Sequence, residues 1–246
     1  MKLDKNPFRP FTAENYRLLF RQVEKIRFEL RNFDWDGVSS KRISKERFWI
    51  RTSTSSYGVD GFYPENKMHL QALDSRLKFM SETMSRLEKL HLENSVSNTF
   101  QKQNLLLKTA LIYLDSLAKI TDRMRDLTLN DLKPPPDNET SEIEIFELTD
   151  EIDRIASQAE FNRMNLFQGD FATSSRTASM WFIAKNFNDK RRIFIATMTA
   201  RSLGLRALDG GNLTLSSPGE TVKILDTAIA KINRERSNLN RYLQDL

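Results

Sequence analysis

The stretch "LLLKTALIYLDSLAKITDRMRDLTL", residues 105–129, repeats its apolar side chains every three or four residues. That spacing places them along one face of an α-helix, in the pattern of a heptad seam. The seam comprises Leu106, Ala110, Tyr113, Leu117, Ile120, Met124 and Leu127. A seam sustained over several heptads predicts long helices packed side by side rather than a compact globule.

The same spacing occurs upstream, where neither glycine nor proline interrupts the chain from Lys67 to Lys133. The upstream seam comprises Leu70, Leu73, Leu77, Met80, Met84 and Leu87. The pattern fades through "HLENSVSNTFQKQN", residues 91–104, before it resumes. The sequence therefore allows either one long helix that changes phase or two helices that meet at a polar elbow.

Downstream, "KPPPDNET" (residues 133–140) ends this helical region because three prolines cannot continue it. A helix is predicted at 141–160, with its seam at Ile145, Leu148, Ile152, Ile155 and Ala159. "SMWFIAKNFNDKRRIFIATM" (179–198) predicts a β-hairpin, because a polar turn separates two β-prone runs. A last helix is predicted at 219–244, with Arg236 interrupting a seam of Val222, Leu225, Ile229, Ile232, Leu239 and Leu243.

The first part of the chain is different. Residues 14–33 predict a basic amphipathic helix, and residues 34–66 predict an irregular segment with a short extended piece at "RFWIRT". The predicted organisation is therefore a divergent N-terminal segment, 1–66, and a helical unit, 67–246, with a β-hairpin near 179–198. The predicted fold class is mainly α: an elongated bundle of long helices with one small β-hairpin.

Composition excludes several classes of function. The 246 residues carry a net charge of +5 with both signs interleaved, which favours a solvated surface over a nucleic-acid interface. The absence of cysteine excludes disulfides, thiol catalysis and cysteine metal sites. No apolar run is long enough to insert in a membrane, and the N-terminus lacks the apolar core of a secretory signal. Any export is therefore expected to proceed without a cleaved Sec signal.

The residues that could carry chemistry favour structural roles. The two histidines, His69 and His91, have no cluster of metal ligands beside them, and His91 follows Leu87 on the seam. Acidic residues suit the first turns of the helix predicted at 141–160. Further along the same helix, Glu151 can pair with Arg154. This acidic group comprises Glu142, Glu144, Glu147, Asp150, Glu151 and Asp153. We expect no catalytic, cofactor or metal site, and no enzyme activity.

Four blocks of the sequence resemble bacterial flagellins and follow one another in the family order. They are "YLDSLAKITDRMRDLTL" (113–129), "EIDRIASQAEFNRMNLFQG" (151–169), "SMWFIAKNFNDKRRIFIATMTARSLGL" (179–205) and "LDTAIAKINRERSNLNRYL" (225–243). The Met-Trp-Phe opening of the third block is similar to spirochaete flagellar filament core proteins. Residues 1–104 match the family poorly.

This resemblance implies a structural protein whose shaft-like helical bundle packs with other flagellin or filament subunits. It implies export through the flagellar channel to the flagellum, which lies in the periplasm of spirochaetes. The residues expected to contact subunits or partners are Arg123, Arg125, Leu127, Glu144 and Arg154. Flagellins also present a patch to a toll-like receptor, at positions that match Arg123, Leu127 and Glu144. The expected bundle core comprises Ile152, Ile155, Leu225, Ile229 and Ile232.

Two departures from the flagellin pattern bear on assembly. Arg163 stands where flagellins have a glycine, and flagellins continue past the position of Leu246 into a C-terminal inner helix. We therefore expect monomers or small oligomers rather than long filaments of the protein alone. The leading hypothesis is a minor filament component or a filament-associated accessory in motility. The alternative is a non-polymerising flagellin-like protein that binds or regulates flagellar export or assembly factors.

Two further classes of function would have distinct signatures. An enzyme with its site in residues 34–66 would lose activity when a serine or threonine of that segment is replaced. A nucleic-acid-binding protein acting through helix 14–33 would show steeply salt-dependent DNA binding.

Overall fold

The computed structural model describes residues 13–31, 49–51, 56–58, 67–93, 99–131, 138–161, 164–173, 180–183, 190–207, 211 and 217–245. Its helices are α1 (Ala13–Arg31), α2 (Lys67–Glu93), α3 (Thr99–Asp131), α4 (Asn138–Gln158), α5 (Ala200–Leu203) and α6 (Pro218–Asp245). Its strands are β1 (Trp49–Arg51), β2 (Ser56–Gly58), β3 (Glu160–Phe161), β4 (Met164–Asn165), β5 (Met180–Ile183) and β6 (Lys190–Ile193). The mainly α fold class is confirmed.

Helices α2 and α3 lie against each other and run in opposite directions. Arg86 of α2 forms an ion pair of 2.6 Å with Asp115 of α3. One turn earlier on α2, Glu82 pairs at 3.1 Å with Lys119, one turn later on α3. The two seams therefore belong to two helices and not to one continuous helix. The elbow itself, residues 94–98, lies outside the described residues.

Helix α6 packs antiparallel to α3 along its length. Asp226, near the start of α6, pairs with Arg125 at 2.6 Å. Arg236, three turns later, pairs with Asp115 at 2.6 Å. These two pairs fix opposite directions for the two helices.

Helix α4 also runs antiparallel to α3. Glu144 in its first half accepts hydrogen bonds from Arg123 of α3. Phe167, just after α4, packs edge-on against Tyr113, which lies ten residues earlier on α3. Helix α3 therefore packs against α2, α4 and α6 and runs opposite to all three.

Helix α1 packs on α2, again in the antiparallel sense. Arg17 pairs with Glu88 at 2.6 Å, and Arg27 pairs with Asp74 at 3.0 Å. Burial explains the helical fold of this basic segment, because its seam is covered by α2 although its other face is charged.

The predicted seams of α2, α3 and α4 form the core where the structure describes their side chains. Their buried members are Leu73, Leu77, Met80, Met84, Leu87, Leu106, Ala110, Tyr113, Leu117, Ile120, Met124, Leu127, Ile145, Leu148, Ile152, Ile155 and Ala159. These residues join one cluster with α1, α6 and the turn after α4. The core is thus continuous along the bundle.

The seam of α6 differs from its prediction by one residue at several positions. Ala228 is fully buried, whereas the neighbouring Ile229 is only partly buried. Glu235 is 6% exposed and interrupts the buried row, in place of Arg236, which reaches α3. Both rows have the spacing of a helical face, so periodicity alone could not choose between them.

The predicted β-hairpin is present as β5 and β6, with Trp181 opposite Arg192. Two shorter antiparallel pairs accompany it, β1–β2 and β3–β4. The structure thus has more β pairing than the single hairpin predicted, although the extra strands are only two or three residues long. "RFWIRT" supplies β1, while most of the predicted irregular segment 34–66 lies outside the described residues.

Within the described part of the chain, no helix is both long enough and apolar enough to cross a bilayer. Over those same residues, no group of histidine and acidic side chains has the arrangement of a metal site. Arg163 lies outside the described residues.

Candidate functional site

The most concentrated group of polar side chains lies in the interface between α2 and α4. The guanidinium group of Arg76 on α2 contacts Glu147 at 2.9 Å and Glu151 at 3.2 Å. The side chain of Glu151 is fully buried, and that of Arg76 is 11% exposed. Burial by itself lowers the pKa of Arg76, but the two carboxylates outweigh it and raise that pKa above its ordinary value.

Arg154 supplies a second cation to the same carboxylate. Its guanidinium donates hydrogen bonds to both oxygens of Glu151 and to the side chain of Gln158. Glu151 therefore lies between two arginines, one from α2 and one from its own helix. Each buried charge has a partner, which is the condition under which charges are tolerated in a protein interior.

Glu144 links three helices. Arg123 of α3 donates two hydrogen bonds to its carboxylate, at 2.9 and 3.0 Å, and the hydroxyl of Ser75 on α2 donates another at 2.6 Å. The hydrogen bonds to Glu144 raise the pKa of Arg123 above its ordinary value. A two-pronged arginine–carboxylate contact fixes orientation as well as distance.

The local sequence explains why these acids converge. Glu144, Glu147 and Glu151 follow one another at helical spacings of three and four residues, so they share one face of α4. That face lies against α2, which presents Ser75 and Arg76. Three members of the acidic group, Glu144, Glu147 and Glu151, therefore form a surface that packs against another helix.

The chain leaves α4 through a hydrogen-bonded corner. The amide of Leu166 donates to the carbonyl of Ala159 at 2.7 Å, across the β3–β4 pair. Phe167 is fully buried against Tyr113, and its carbonyl accepts from the amide of Met198 at 3.0 Å. Gly169 has a φ of 106°, a left-handed conformation that other residues adopt only with strain.

The short helix α5 is attached to α4. The carboxylate of Asp153 accepts the amide of Ala200 at 2.8 Å, and Thr199 caps the first turn through its side chain. Arg206 pairs with Asp150 at 2.6 Å and with Asp153 at 3.0 Å. Asp150 and Asp153 therefore bind the segment of the chain that follows β6.

Glu235 attaches the same segment, which follows β6, to α6. Its carboxylate accepts the backbone amide of Ala196 at 3.0 Å and also contacts the side-chain amide of Asn238. Sequence reasoning missed this residue because its neighbour Arg236 looked like the break in the seam. An acid within an otherwise apolar row of helical positions was the signal that could have identified it.

The predicted contact residues fall into two groups. Arg123 and Arg125 keep exposed side chains, 43% and 37%, while each pairs with another helix. Leu127, Glu144 and Arg154 are 7%, 8% and 7% exposed. The structure thus places these three inside the bundle, where packing and ion pairing leave little surface for a partner.

Four of the five predicted core residues are fully buried, namely Ile152, Ile155, Leu225 and Ile232. The fifth, Ile229, is partly exposed because α6 turns Ala228 toward the core.

His91 is a packing residue at the α1–α2 interface. Its ring stacks on that of Tyr16, with centroids 5.0 Å apart and planes inclined by 13°. In this position it stabilises the contact between helices. Most of the charged groups described above likewise join one helix to another.

Comparison with known proteins adds the relation that geometry alone does not give. Residues 79–172 match the sequence model of the bacterial flagellin N-terminal helical region. This match begins within α2 and ends in the turn after β4, so it contains α3, α4 and most of the buried polar network. The expectation that residues 1–104 match the family poorly is therefore wrong for residues 79–104.

Similar proteins include flagellar filament core protein flaB2 of Brachyspira hyodysenteriae, 36% identical over 141 residues, or 53% of this chain and 50% of that protein. The flagellar filament 33 kDa core protein of Treponema phagedenis is 36% identical over 161 residues, or 61% and 56%. Flagellin FlaB2 of Treponema pallidum is 34% identical over 161 residues, or 61% of this chain and 56% of that protein. The chain thus spans about half the length of these relatives. The resemblance to flagellins, and to spirochaete filament core proteins among them, is confirmed.

Proposed function

We infer, from the flagellin-type helical region at residues 79–172, that this chain is a structural component of the bacterial flagellum. The observation that carries the proposal is that this match covers most of α2 and all of α3 and α4, which pack together. In relatives named as filament core proteins, the corresponding region is part of a filament subunit. Here the same region packs α2, α3 and α4 together, and the ion pairs Arg86–Asp115 and Arg123–Glu144 join these helices.

The proposed role is that of a minor filament component or a filament-associated accessory in motility. Its partners are other flagellar filament proteins, and its place is the flagellum, which is periplasmic where the cell is a spirochaete. Export to that place without a cleaved Sec signal is part of the same proposal. The intact mass of the protein recovered from flagella tests the export route.

The proposed contact surface to other subunits is the exposed side of α3 around Arg123 and Arg125. Both arginines are bound within the chain and still expose their side chains, so they can accept a further acidic partner. Glu144, Leu127 and Arg154 support that surface from inside the bundle.

Fractionation of the source bacterium tests the proposal. An epitope-tagged chain is expressed in the native cell, flagella are purified, and the tag is measured in the flagellar and soluble fractions. We expect co-sedimentation with flagella that persists through a salt wash. A wholly cytosolic pool would overturn the structural role and favour the regulatory one, with export or assembly factors as partners.

A matched pair of variants tests the contact surface. Arg125 and Arg236 are 37% and 39% exposed, and each bonds one acid across the α3–α6 interface. We expect Arg125→Ala to lower the flagellar fraction and Arg236→Ala to leave it unchanged. Equal incorporation of both variants would remove Arg125 from the proposed surface without affecting the proposal of a flagellar role.

A further inference from the structure

The contacts between α1 and α2 define a heptad register in which one position is unusual. On α2, Leu77, Met84 and His91 recur at intervals of seven residues. Leu77 and Met84 are buried apolar residues, but the third position of the row is a histidine. A polar residue at one seam position fixes the register of two helices at a cost in stability.

The α1 side of this register is apolar. Tyr16 and Val23, also seven residues apart, are 2% and 0% exposed. The antiparallel pairing, in which Arg17 meets Glu88, brings Tyr16 to the level of His91, and the two rings stack in parallel planes. The end of α1 is therefore held by a stack that depends on the state of the imidazole.

The environment of His91 suits only a neutral ring. Its Nε2 atom is buried and has no hydrogen-bond partner, so a proton added there would be a buried donor without an acceptor. Burial lowers the pKa of His91 from its ordinary value of 6.5. A charged imidazolium would carry both penalties until it reached water.

We propose that acid loosens the N-terminal end of α1, because protonation of His91 breaks its stack with Tyr16. The loosened end exposes the ring of Tyr16 and the face of α2 that this ring covers. The rest of α1 stays in place, because Leu19 and Val23 are buried in the core and Arg27 pairs with Asp74.

The other titratable and charged groups around the stack do not offset this change. On α1 and α2, Arg17 and Glu88 neutralise one another. Tyr16 interacts with the hydroxyl of Tyr113 on α3 and with the charge of Glu160 on β3, and burial above all raises the pKa of Tyr16. Tyr16 therefore stays neutral across the acid range, and His91 is the member of this stack whose charge changes on acidification.

The sign of the effect follows from linkage. The open state takes up its proton near the ordinary pKa of 6.5, whereas the closed state takes it up only at lower pH. The closed state is therefore at full stability above about pH 6.5 and loses stability as the pH falls through that value.

Distance measurement between two spin labels tests the proposal on the full chain. The sequence has no cysteine, so Glu14→Cys at the N-terminal end of α1 and Asp122→Cys on α3 give two unique sites, both exposed. Electron–electron double resonance is recorded at pH 7.5 and pH 5.0. We expect one short distance at pH 7.5 and its loss to a longer, broader distribution at pH 5.0.

Three variants in the labelled background complete the experiment. His91→Phe and His91→Met keep an apolar contact for Tyr16 and cannot gain charge, so we expect the short distance to persist at pH 5.0 in at least one of them. His69→Gln, which alters the chain's other histidine, is expected to open like the parent. The proposal is overturned if the parent distance does not change with pH, or if both His91 variants open as the parent does.

Discussion

The two sides of α3 are packed by interfaces of different chemistry. Toward α6 the contact is an apolar row, with Leu225, Ala228 and Ile232 fully buried and the ion pairs confined to the exposed margins. On the other side, α2 and α4 enclose charges, and Glu151 is fully buried between two arginines. Apolar packing is non-directional, whereas buried charges accept only one geometry. The α6 side therefore depends mainly on apolar packing, whereas the side of α2 and α4 adds buried charge pairs to its apolar core, and these pairs fix the register.

Glu151→Ala is expected to give the largest loss. It leaves Arg76 and Arg154 in the interior without their shared carboxylate, and breaking a buried pair costs about 3–5 kcal/mol. Denaturant unfolding monitored by circular dichroism measures the free energy. Glu142→Ala, an exposed acid on the same helix, is the control and should change stability by less than about 0.5 kcal/mol. Equal losses for the two variants would contradict the description of a buried charge centre.

Ile232→Ala should cost slightly less, about 3 kcal/mol, because it leaves a cavity in the apolar α3–α6 interface. Ile229→Ala is the matched control, since it removes the same side chain from a partly exposed position three residues earlier on α6. We expect it to cost about 1 kcal/mol or less. A larger loss at Ile229 would show that α6 is rotated toward the row predicted from the sequence.

Glu235→Leu isolates the polar position within the apolar side. It removes the acceptor of the Ala196 amide, which is partly buried, so we expect a loss toward the lower end of the roughly 1–3 kcal/mol that an unsatisfied buried donor costs. Hydrogen exchange at Ala196 should accelerate together with this loss. Glu235→Gln retains a side-chain oxygen as acceptor and should preserve much of the protection. Unchanged exchange in the leucine variant would exclude the hydrogen bond.

Arg236→Ala should have the smallest effect, below about 1 kcal/mol, because its pair with Asp115 lies at the exposed margin of the α3–α6 side. A double-mutant cycle with Asp115→Ala separates the pair from the contact that Asp115 also makes with Arg86. A coupling energy as large as the cost of Glu151→Ala would remove the distinction between the two sides of α3.

The same contrast explains what sequence reasoning reached. The seams of α2, α3 and α4 were predicted because leucine, methionine and isoleucine leave one helical face in no doubt. On α6, Ile229 outweighed Ala228, and Arg236 looked like the polar break. The choice between those rows is made by tertiary structure, since the extended chain at Ala196 needs an acceptor and Glu235 supplies it.

Pairing partners were harder to predict than burial. That Glu151 binds Arg154 follows from a spacing of three residues on one helix. That Arg76, 75 residues away, joins them depends on the packing of α2 beside α4, which the sequence left open. The β3–β4 pair could not be predicted because two residues in each strand carry no detectable period. Leu127 and Glu144 were assigned to partners by resemblance, although both side chains are buried here and Glu144 binds Ser75 and Arg123 within the chain.

The packing of α3 against three helices has a mechanical consequence. Since α2, α4 and α6 all run against it, a pull along the bundle between any of them and α3 acts as shear. Under shear, the contacts along a helix pair are loaded together, whereas peeling would break them one turn at a time. In the proposed flagellar role, a load along the bundle would therefore pass through α3 from one helix to the next.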